Sequence, residues 1–184
     1  KFQDKLFDEI VGRIKKDDES VPYFSNGYFY YTKYEPGKEY AINCRKKGTL
    51  DSDEEIILDQ NILADGKDYF AVGGWSVSPN NEWLAYSTDY VSRRIYTVHF
   101  KNLLTGETIQ NAISNSSGSV AWANDNRTVF YTSKNDVTLL SEKIWRHKLG
   151  SDSKSDEMVY HEKDDTFYNG VYRSKSGDYI IIYN

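Results

Sequence analysis

The sequence predicts an all-β protein: an incomplete β-propeller of about three and a half four-stranded antiparallel blades, preceded by a short N-terminal α-helix. Three observations lead to this prediction. A strand–turn–strand pattern recurs along the chain, its turns are rich in Asn, Asp, Ser and Gly, and 16 of the 184 residues are Tyr, which suits half-buried strands. The alternative is an antiparallel meander whose turns are evenly spaced by coincidence.

The clearest copy of the pattern is SVSPNNEWLAYST, residues Ser76 to Thr88. Pro79 cannot donate a hydrogen bond to a continuing ladder, so it ends the first strand. Asn80 and Asn81 tolerate positive φ, and they therefore predict a two-residue turn between the strands.

Two further copies follow, at Ser119 to Ser133 and at Gly170 to Tyr183. Aligning the turns places Pro79, Asn124 and Lys175 in register, at spacings of 45 and 51 residues. A hairpin that repeats at about 45 to 50 residues is typical of propeller blades.

An amphipathic helix precedes the repeats. Apolar residues recur at three- and four-residue steps from Phe2 to Ile14, which predicts a helix through about Lys16. Gly12 weakens that helix, and the apolar stripe needs a surface to pack on. No capping residue precedes Lys1, so the natural chain is expected to begin further upstream. The helical segment is assigned to residues 1–16 and the propeller to residues 17–184.

The blades are assigned in chain order. Blade 1 covers about 20–60 and contains the hairpin turn Asn26-Gly27, with a single helical turn predicted at Asn61 to Gly66. Blade 2 covers about 69–113 and ends in a predicted fourth strand, Thr108 to Ile113. Blade 3 covers about 117–160.

Blade 4 begins at about 167 and has two strands when the sequence stops, which leaves an apolar edge at Tyr179 to Tyr183. A bare edge favours pairing with another chain, and a propeller this short cannot close, so a longer natural protein is expected.

Composition excludes several classes of function. The net charge of −5, without a basic stripe, argues against a nucleic-acid partner. No apolar run is long enough to span a bilayer, so no membrane partner is predicted. The single cysteine, Cys44, rules out an intrachain disulfide and fits a reducing compartment, so the cytoplasm is predicted and the periplasm left open.

No catalytic, cofactor-binding or metal-binding residue is predicted. Ser76, in GWSVS, lacks the second glycine and the helix of a nucleophile elbow, so it is interpreted as an ordinary strand residue. The three histidines, His99, His147 and His161, show no zinc spacing and are interpreted as surface or inter-strand residues. Asp51 and Asp53 lack the glycine and glutamate of a calcium loop.

Three other features have two interpretations each. Cys44 is interpreted as structural, although neighbouring cations could activate its thiol. Arg93-Arg94 is predicted to pair with carboxylates between blades, the alternative being that it faces a charged ligand. Asn115 and Asn126 begin glycosylation sequons, a pattern of low specificity.

Long stretches of the chain resemble a known family. Asp17 to Gly48, Val72 to Glu107 and Ser119 to Thr132 are similar to the start of the propeller domain of the prolyl oligopeptidase family of serine peptidases, above all its oligopeptidase B branch (protease II). The resemblance implies a seven-bladed propeller inserted near the N-terminus of an α/β-hydrolase domain that carries the Ser, Asp and His triad. Those positions lie outside this sequence, so no catalytic residue is carried over and no cofactor is implied.

The resemblance also implies a role. The expected partners are the chain's own α/β-hydrolase domain and oligopeptide substrates cleaved after basic residues, with the propeller as a cap that admits short peptides. These 184 residues alone are expected to be inactive. Two alternatives stay open: a non-enzymatic propeller that binds a protein partner, and the propeller of a related dipeptidyl peptidase. The dipeptidyl peptidases are often secreted, which the single cysteine and the missing signal segment do not favour.

Overall fold

A computed structural model describes all of residues 1–184. The chain divides into two compact units, Lys1–Asp65 and Gly66–Asn184.

The first unit is a four-stranded antiparallel sheet with a helix at each end of its sequence. Its elements are α1 (Phe2–Gly12), β1 (Tyr23–Ser25), β2 (Tyr28–Lys33), β3 (Ile42–Lys47), β4 (Glu54–Asp59) and α2 (Gln60–Ala64), with strand order β1-β2-β3-β4. The Asn26-Gly27 turn is confirmed: both residues have positive φ, 47° and 83°, and Ser25 lies opposite Tyr28. This is the two-residue hairpin that the Asn-Gly dipeptide favours. The predicted helical turn after blade 1 is α2, which begins one residue earlier than expected.

The N-terminal helix is shorter than predicted. It ends at Gly12 instead of Lys16, and none of its residues is buried. Its apolar residues remain exposed, Phe2 at 81% and Ile10 at 54%. Gly costs about 1 kcal/mol relative to Ala in a helix, and no packing within the unit compensates for it.

The second unit holds nine strands. They are β5 (Ala71–Val77), β6 (Trp83–Asp89), β7 (Tyr96–Asn102), β8 (Ile113–Trp122), β9 (Thr128–Lys134), β10 (Ser141–Lys148), β11 (Glu157–His161), β12 (Gly170–Arg173) and β13 (Ile180–Tyr183), with a short 3-10 helix at Ser153–Ser155. Strands β5 to β11 form one antiparallel sheet in sequential order, and β12 pairs with β13. The all-β prediction with one N-terminal helix is confirmed, with α2 as a short addition.

The boundary between the second and third repeats differs from the prediction. The expected strand Thr108 to Ile113 is reduced to a single bridge between Lys101 and Thr108, and Ile113 instead begins the ten-residue strand β8. The first part of β8 pairs with β7 and the last part with β9, and its register shifts between Ser116 and Val120. Positive φ angles at Asn115 and Gly118, 57° and 108°, bend the strand there. One bent strand therefore joins two repeats that the sequence alone suggested were separate.

The turns of the three later hairpins are four-residue loops. The Pro79 turn is a four-residue loop, and only Asn81 has positive φ, so the expected two-residue Asn80-Asn81 turn is wrong. The predicted register of the turns is confirmed, because the third loop residue has positive φ each time. Those residues are Asn81 (65°), Asn126 (61°) and Gly177 (81°). The residue before each loop donates its N–H to the carbonyl of the residue after it, in the pairs Ser78–Trp83, Ala123–Thr128 and Ser174–Tyr179, at 2.8, 2.9 and 2.8 Å.

Alternating strand directions give the second unit two distinct ends. The hairpin loops 79–82, 124–127 and 175–178 lie at what we call the turn end. The connections 90–95 and 135–140 follow the opposite ends of β6 and β9 and define the loop end. Between the two ends lies a core cluster formed by Ala85, Val98, Phe100, Ile113, Trp122, Val129 and Tyr131.

The last strand, β13, has β12 on one side and no further strand on the other within residues 1–184. Its Ile180 and Ile182 are half-buried, whereas Tyr183 is 48% exposed. Pairing of this edge with another chain stays a prediction.

Candidate functional site

The loop end of the second unit is organised by one buried carboxylate. Asp89, at the end of β6, is 1% exposed. Its Oδ1 accepts the N–H of Val91 at 2.8 Å and its Oδ2 accepts the N–H of Arg94 at 2.7 Å. Within this loop Ser92 and Arg94 both have positive φ, 60° and 55°, which is uncommon for residues other than glycine. The carboxylate therefore holds the loop 90–95 in a conformation that its own residues do not favour.

The side chains on this loop carry unpaired positive charge. Arg93 and Arg94 are both exposed, and neither guanidinium forms a salt bridge with a carboxylate in residues 1–184. The predicted ion pairs of Arg93-Arg94 between blades are therefore wrong for this part of the protein. The oxygens of Asp89 are occupied by backbone N–H groups, so that carboxylate does not bind either arginine side chain.

A third cation lies beside the arginines. Lys134, at the end of β9, donates from Nζ to the carbonyl oxygen of Arg94 at 2.8 Å. Burial lowers the pKa of Lys134, the charge of Arg94 lowers it further, and Asp89 acts in the opposite direction. Lys134 and Arg94 thus lie close together, and Arg93 is the adjacent residue on the same loop, whose backbone other contacts already hold. Such an arrangement can bind a carboxylate or another anion with little further ordering.

A cavity of about 560 Å³ opens next to Lys134. Asn115 forms part of its wall, donating from Nδ2 to the carbonyl of Lys134 at 2.7 Å and to Asp136 Oδ1 at 2.6 Å. Asn115 Oδ1 is buried without a hydrogen-bond partner. Trp145 forms an aromatic part of the wall, with its Nε1 bound to Ser133 Oγ at 2.8 Å. The loop end therefore offers charge, polar groups and one large ring in adjacent positions.

Ser76 and the three histidines lie on strands of the second unit. Ser76 lies in β5 opposite Ala85, with a hairpin and no helix after it. His99 Nε2 lies 3.0 Å from Thr88 Oγ1, and burial lowers its pKa. His147 is fully buried in β10, and its Nδ1 lies 2.8 Å from Asp156 Oδ1. His161 lies in β11. These positions agree with the inter-strand interpretation of the histidines.

Cys44 is structural by position. Its side chain is fully buried in β3. Burial raises its pKa from 9.0 to about 12, and the Glu54 carboxylate adds to the effect. The neighbouring Arg45 binds Glu55 at 2.7 Å and lies over the ring of Tyr28 at 4.1 Å. The alternative of an activated thiol is therefore not supported, because the thiolate form is strongly disfavoured.

The two sequon asparagines both have positive φ, Asn115 at the bend of β8 and Asn126 in the hairpin loop 124–127. Asn115 uses its carboxamide nitrogen in the bonds above, and Asn126 Oδ1 accepts a backbone N–H at 2.8 Å. No group of three or more His, Cys, Asp or Glu side chains is arranged to hold a metal ion, and Asp51 and Asp53 lie in the loop before β4. No helix is both long and apolar enough to cross a membrane.

Sequence reasoning missed Asp89 and Lys134. A signal for Asp89 was present, since an Asp at the end of an apolar strand often accepts N–H groups from the next few residues. Lys134 had no such signal, because its contact with Arg94 joins residues 40 positions apart.

Comparison with known proteins gives the class of this chain. Residues 1–184 match the prolyl oligopeptidase N-terminal beta-propeller domain, and the chain belongs to that family. Its fold is therefore a partial β-propeller, as the repeat predicted.

The chain is also similar to individual proteins of this family. The chain is 42% identical to dipeptidyl aminopeptidase BI of Pseudoxanthomonas mexicana and 32% identical to Protease 2 of Moraxella lacunata, in each case over 98% of this chain and 27% of the relative. Among solved structures, oligopeptidase B from Leishmania major superimposes with a TM-score of 0.92 at 31% identity, over 98% of this chain and 26% of that one. Oligopeptidase B from Trypanosoma brucei gives a TM-score of 0.88, also at 31% identity, over 97% and 25%. The chain thus spans about a quarter of the length of these relatives.

Proposed function

We propose that this chain is the propeller cap of a serine peptidase of the oligopeptidase B type, which hydrolyses short peptides after basic residues. The observation that carries the proposal is the similarity to oligopeptidase B from Leishmania major, at a TM-score of 0.92 and 31% identity over nearly the whole chain. In this proposal the catalytic triad lies in an α/β-hydrolase domain outside residues 1–184. The cap encloses the active-site cavity, admits flexible peptides and excludes folded proteins. Excluding water from such a cavity strengthens the electrostatic interactions within it. The cytoplasm is the proposed compartment.

The loop end supplies the residues that we assign to this role. Arg93, Arg94 and Lys134 lie together without a carboxylate partner, on a loop that Asp89 holds in place. We propose that they bind a carboxylate, supplied either by the hydrolase domain or by the peptide substrate. Arginine suits this role because its planar fork binds a carboxylate through two parallel hydrogen bonds.

A second candidate activity is the release of dipeptides from a free amino terminus. It is favoured by the 42% identity to dipeptidyl aminopeptidase BI, which exceeds the identity to Protease 2. The two activities differ in one requirement, since dipeptide release needs a free α-amino group two residues before the cleaved bond.

The test uses the full-length protein and two chromogenic substrates that end in the same arginine. One is a dipeptide with a free amino terminus, and the other carries a blocking group at that amine. Cleavage of the blocked substrate, stopped by a serine-directed inhibitor, supports the oligopeptidase activity. Cleavage of the free dipeptide alone supports the second candidate. If neither is cleaved, the peptidase proposal fails and a non-enzymatic interaction module becomes the better hypothesis.

The role of the loop end has its own test. In the full-length protein, the double substitution Arg93→Gln and Arg94→Gln is expected to lower kcat/KM by about tenfold, because one charge-assisted hydrogen bond contributes roughly 1.5 kcal/mol or more. Added salt should reduce the difference from the unsubstituted protein.

Arg127→Gln is the matched control, since Arg127 is also exposed and outside any ion pair but lies at the turn end. Equal effects of the two replacements would show that position is irrelevant and would remove the assignment.

A further inference from the structure

The three hairpin loops at the turn end are bonded to one another. The backbone N–H of Asn80, in the first loop, donates to Oδ1 of Asn126 in the second at 2.8 Å. Nδ2 of Asn124, also in the second loop, donates to the carbonyl oxygen of Gly177 in the third at 3.0 Å. The guanidinium of Arg173 donates to Oδ1 of the same Asn124. Each of the first two loops therefore contacts the third residue of the loop that follows it in the chain.

A second layer of contacts lies beneath the loops. The indole Nε1 of Trp122, in β8, donates to the carbonyl oxygen of Ser76 in β5 at 3.1 Å. Trp122 is 2% exposed, and its ring meets Phe100 edge-on at 6.0 Å. On the other side of β8, Ala121 packs with Ile144 and Val171, which lies in β12. The hairpins β5–β6, β8–β9 and β12–β13 are thus joined beneath their loops by the Trp122 hydrogen bond and by apolar packing, and at their loops by the polar contacts above.

The carboxamide of Asn126 is not needed to form its own turn. Gly177 occupies the equivalent position in the third loop with φ of 81°, and that loop closes with the same backbone hydrogen bonds although glycine has no side chain. The turn therefore requires left-handed backbone at this position, and Asn126 Nδ2 adds only one long hydrogen bond within its own loop, to the carbonyl oxygen of Asn124 at 3.4 Å. Asn126 Oδ1 serves the neighbouring loop instead.

We propose that the side chains of Asn124 and Asn126 form a latch, a pair of hydrogen bonds between neighbouring loops. This latch makes the hairpins β5–β6, β8–β9 and β12–β13 move as one rigid unit. The latch works because each carboxamide satisfies a backbone group of a different hairpin. Separating two hairpins at the turn end leaves an N–H or a carbonyl without its partner. The proposal concerns mechanical coupling between repeats and does not rest on the proposed peptidase activity.

The test is hydrogen–deuterium exchange of the full-length protein, measured by mass spectrometry on peptides spanning 78–83, 123–128 and 174–179. Asn126→Gly keeps the left-handed turn and removes the acceptor for the Asn80 N–H. Exchange in 78–83 is expected to become about five- to tenfold faster, as the loss of one hydrogen bond implies, while 123–128 changes little. Asn126→Asp retains an oxygen in the same place and is expected to keep the protection.

Asn124→Ala tests the other half of the latch independently. Exchange in 174–179 is expected to accelerate while 78–83 stays as in the unsubstituted protein, because the two bonds involve different residues. Faster exchange confined to 123–128 in both variants would mean that the asparagines serve only their own turn, and the latch would be rejected. Equal acceleration throughout 66–184 would also reject it, since that result reports global destabilisation.

Discussion

The turn end and the loop end of the second unit contain the same kinds of polar residue, but the side chains at the two ends have different hydrogen-bond partners. At the turn end, the carboxamides of Asn124 and Asn126 form hydrogen bonds to backbone groups of neighbouring hairpins, and Asn124 also accepts one from the Arg173 guanidinium. At the loop end, Asp89 directs its carboxylate to the N–H groups of its own loop, and the cations there have no carboxylate partner. A carboxamide that bonds to a neighbouring hairpin stabilises the assembly of hairpins. A carboxylate that bonds only to its own loop leaves the cationic side chains beside it able to bind another anion. This difference supports the two proposals made above, a structural role for the turn end and a role in binding for the loop end.

The largest difference in the free energy of unfolding is expected when two glycines with positive φ, one near each end, are replaced by alanine. A Cβ on Gly118, near the loop end, would lie 2.9 Å from Tyr96 Cδ2 and 3.3 Å from the Cα of Gly73. A Cβ on Gly106, in the turn after β7, would meet nothing within 4 Å. Gly118→Ala is therefore expected to lower the free energy of unfolding by about 3 kcal/mol, since left-handed strain and overpacking add together. Gly106→Ala carries the strain alone and should cost about 1–2 kcal/mol. Urea denaturation of both variants makes the comparison, and equal losses would show that the close approach of β5 and β8 is not tightly packed.

A smaller difference in the free energy of unfolding is expected between alanine substitutions of two aspartates, Asp89 and Asp125, which each accept N–H groups of their own loop. Asp89 is buried and accepts two backbone N–H groups, so Asp89→Ala is expected to cost about 2–3 kcal/mol by leaving both donors unsatisfied. Asp125, at the turn end, accepts the N–H groups of Arg127 and Thr128 at 3.0 and 2.8 Å but is exposed to solvent. Asp125→Ala should cost only about 0.5–1 kcal/mol, because water replaces the lost acceptor. The free energies of unfolding of the two variants test this order, and a larger loss for Asp125→Ala would contradict it.

The smallest effect is a dependence on pH at the turn end. Burial acts to raise the pKa of Asp125, but the Thr128 hydroxyl and the backbone N–H groups of Arg127 and Thr128 outweigh it and hold the pKa below 3.8. A carboxylate whose pKa is lowered by folding contributes stability above its unfolded pKa and loses that contribution as the pH falls. The difference in unfolding free energy between Asp125→Ala and the unsubstituted protein should therefore shrink below a pH of about 3.8. A difference that stays constant from neutral pH down to about pH 3 would show that the carboxylate charge is not involved.

Local patterns in the sequence predicted most of the elements for identifiable reasons. Asn26-Gly27 specifies a two-residue hairpin by itself, because both residues accept positive φ. The loop after Pro79 could not be assigned in the same way, since Asn80 is equally capable of positive φ and only the pairing of Ser78 with Trp83 excludes it. The predicted N-terminal helix was too long for a related reason. Its periodicity continues to Ile14, but no residue of the helix is buried, so packing does not extend it past Gly12.

The candidate site was predictable only in its composition. Arg93-Arg94 stood out as adjacent charges, and the sequence offered carboxylates in plenty to neutralise them. Asp89 does not pair with the arginines, because its carboxylate accepts backbone N–H groups of its own loop. Burial of Asp89 at the end of β6 favours these local hydrogen bonds. Lys134 joins the site through a contact across 40 residues that depends on the sheet having formed.

By itself the sequence determined the class of fold, the positions of the repeating hairpins and the family to which the chain belongs. Each of these depends on short-range patterns, such as alternation, turn residues and spacing, that persist whatever the rest of the chain does. Tertiary structure decided three further properties. It bent β8 so that two repeats share one sheet, it used Asn124 and Asn126 to bond neighbouring hairpins, and it left the arginines of the loop end without an internal partner. These properties depend on which distant groups meet and which are buried together, and that is settled only when the strands pack.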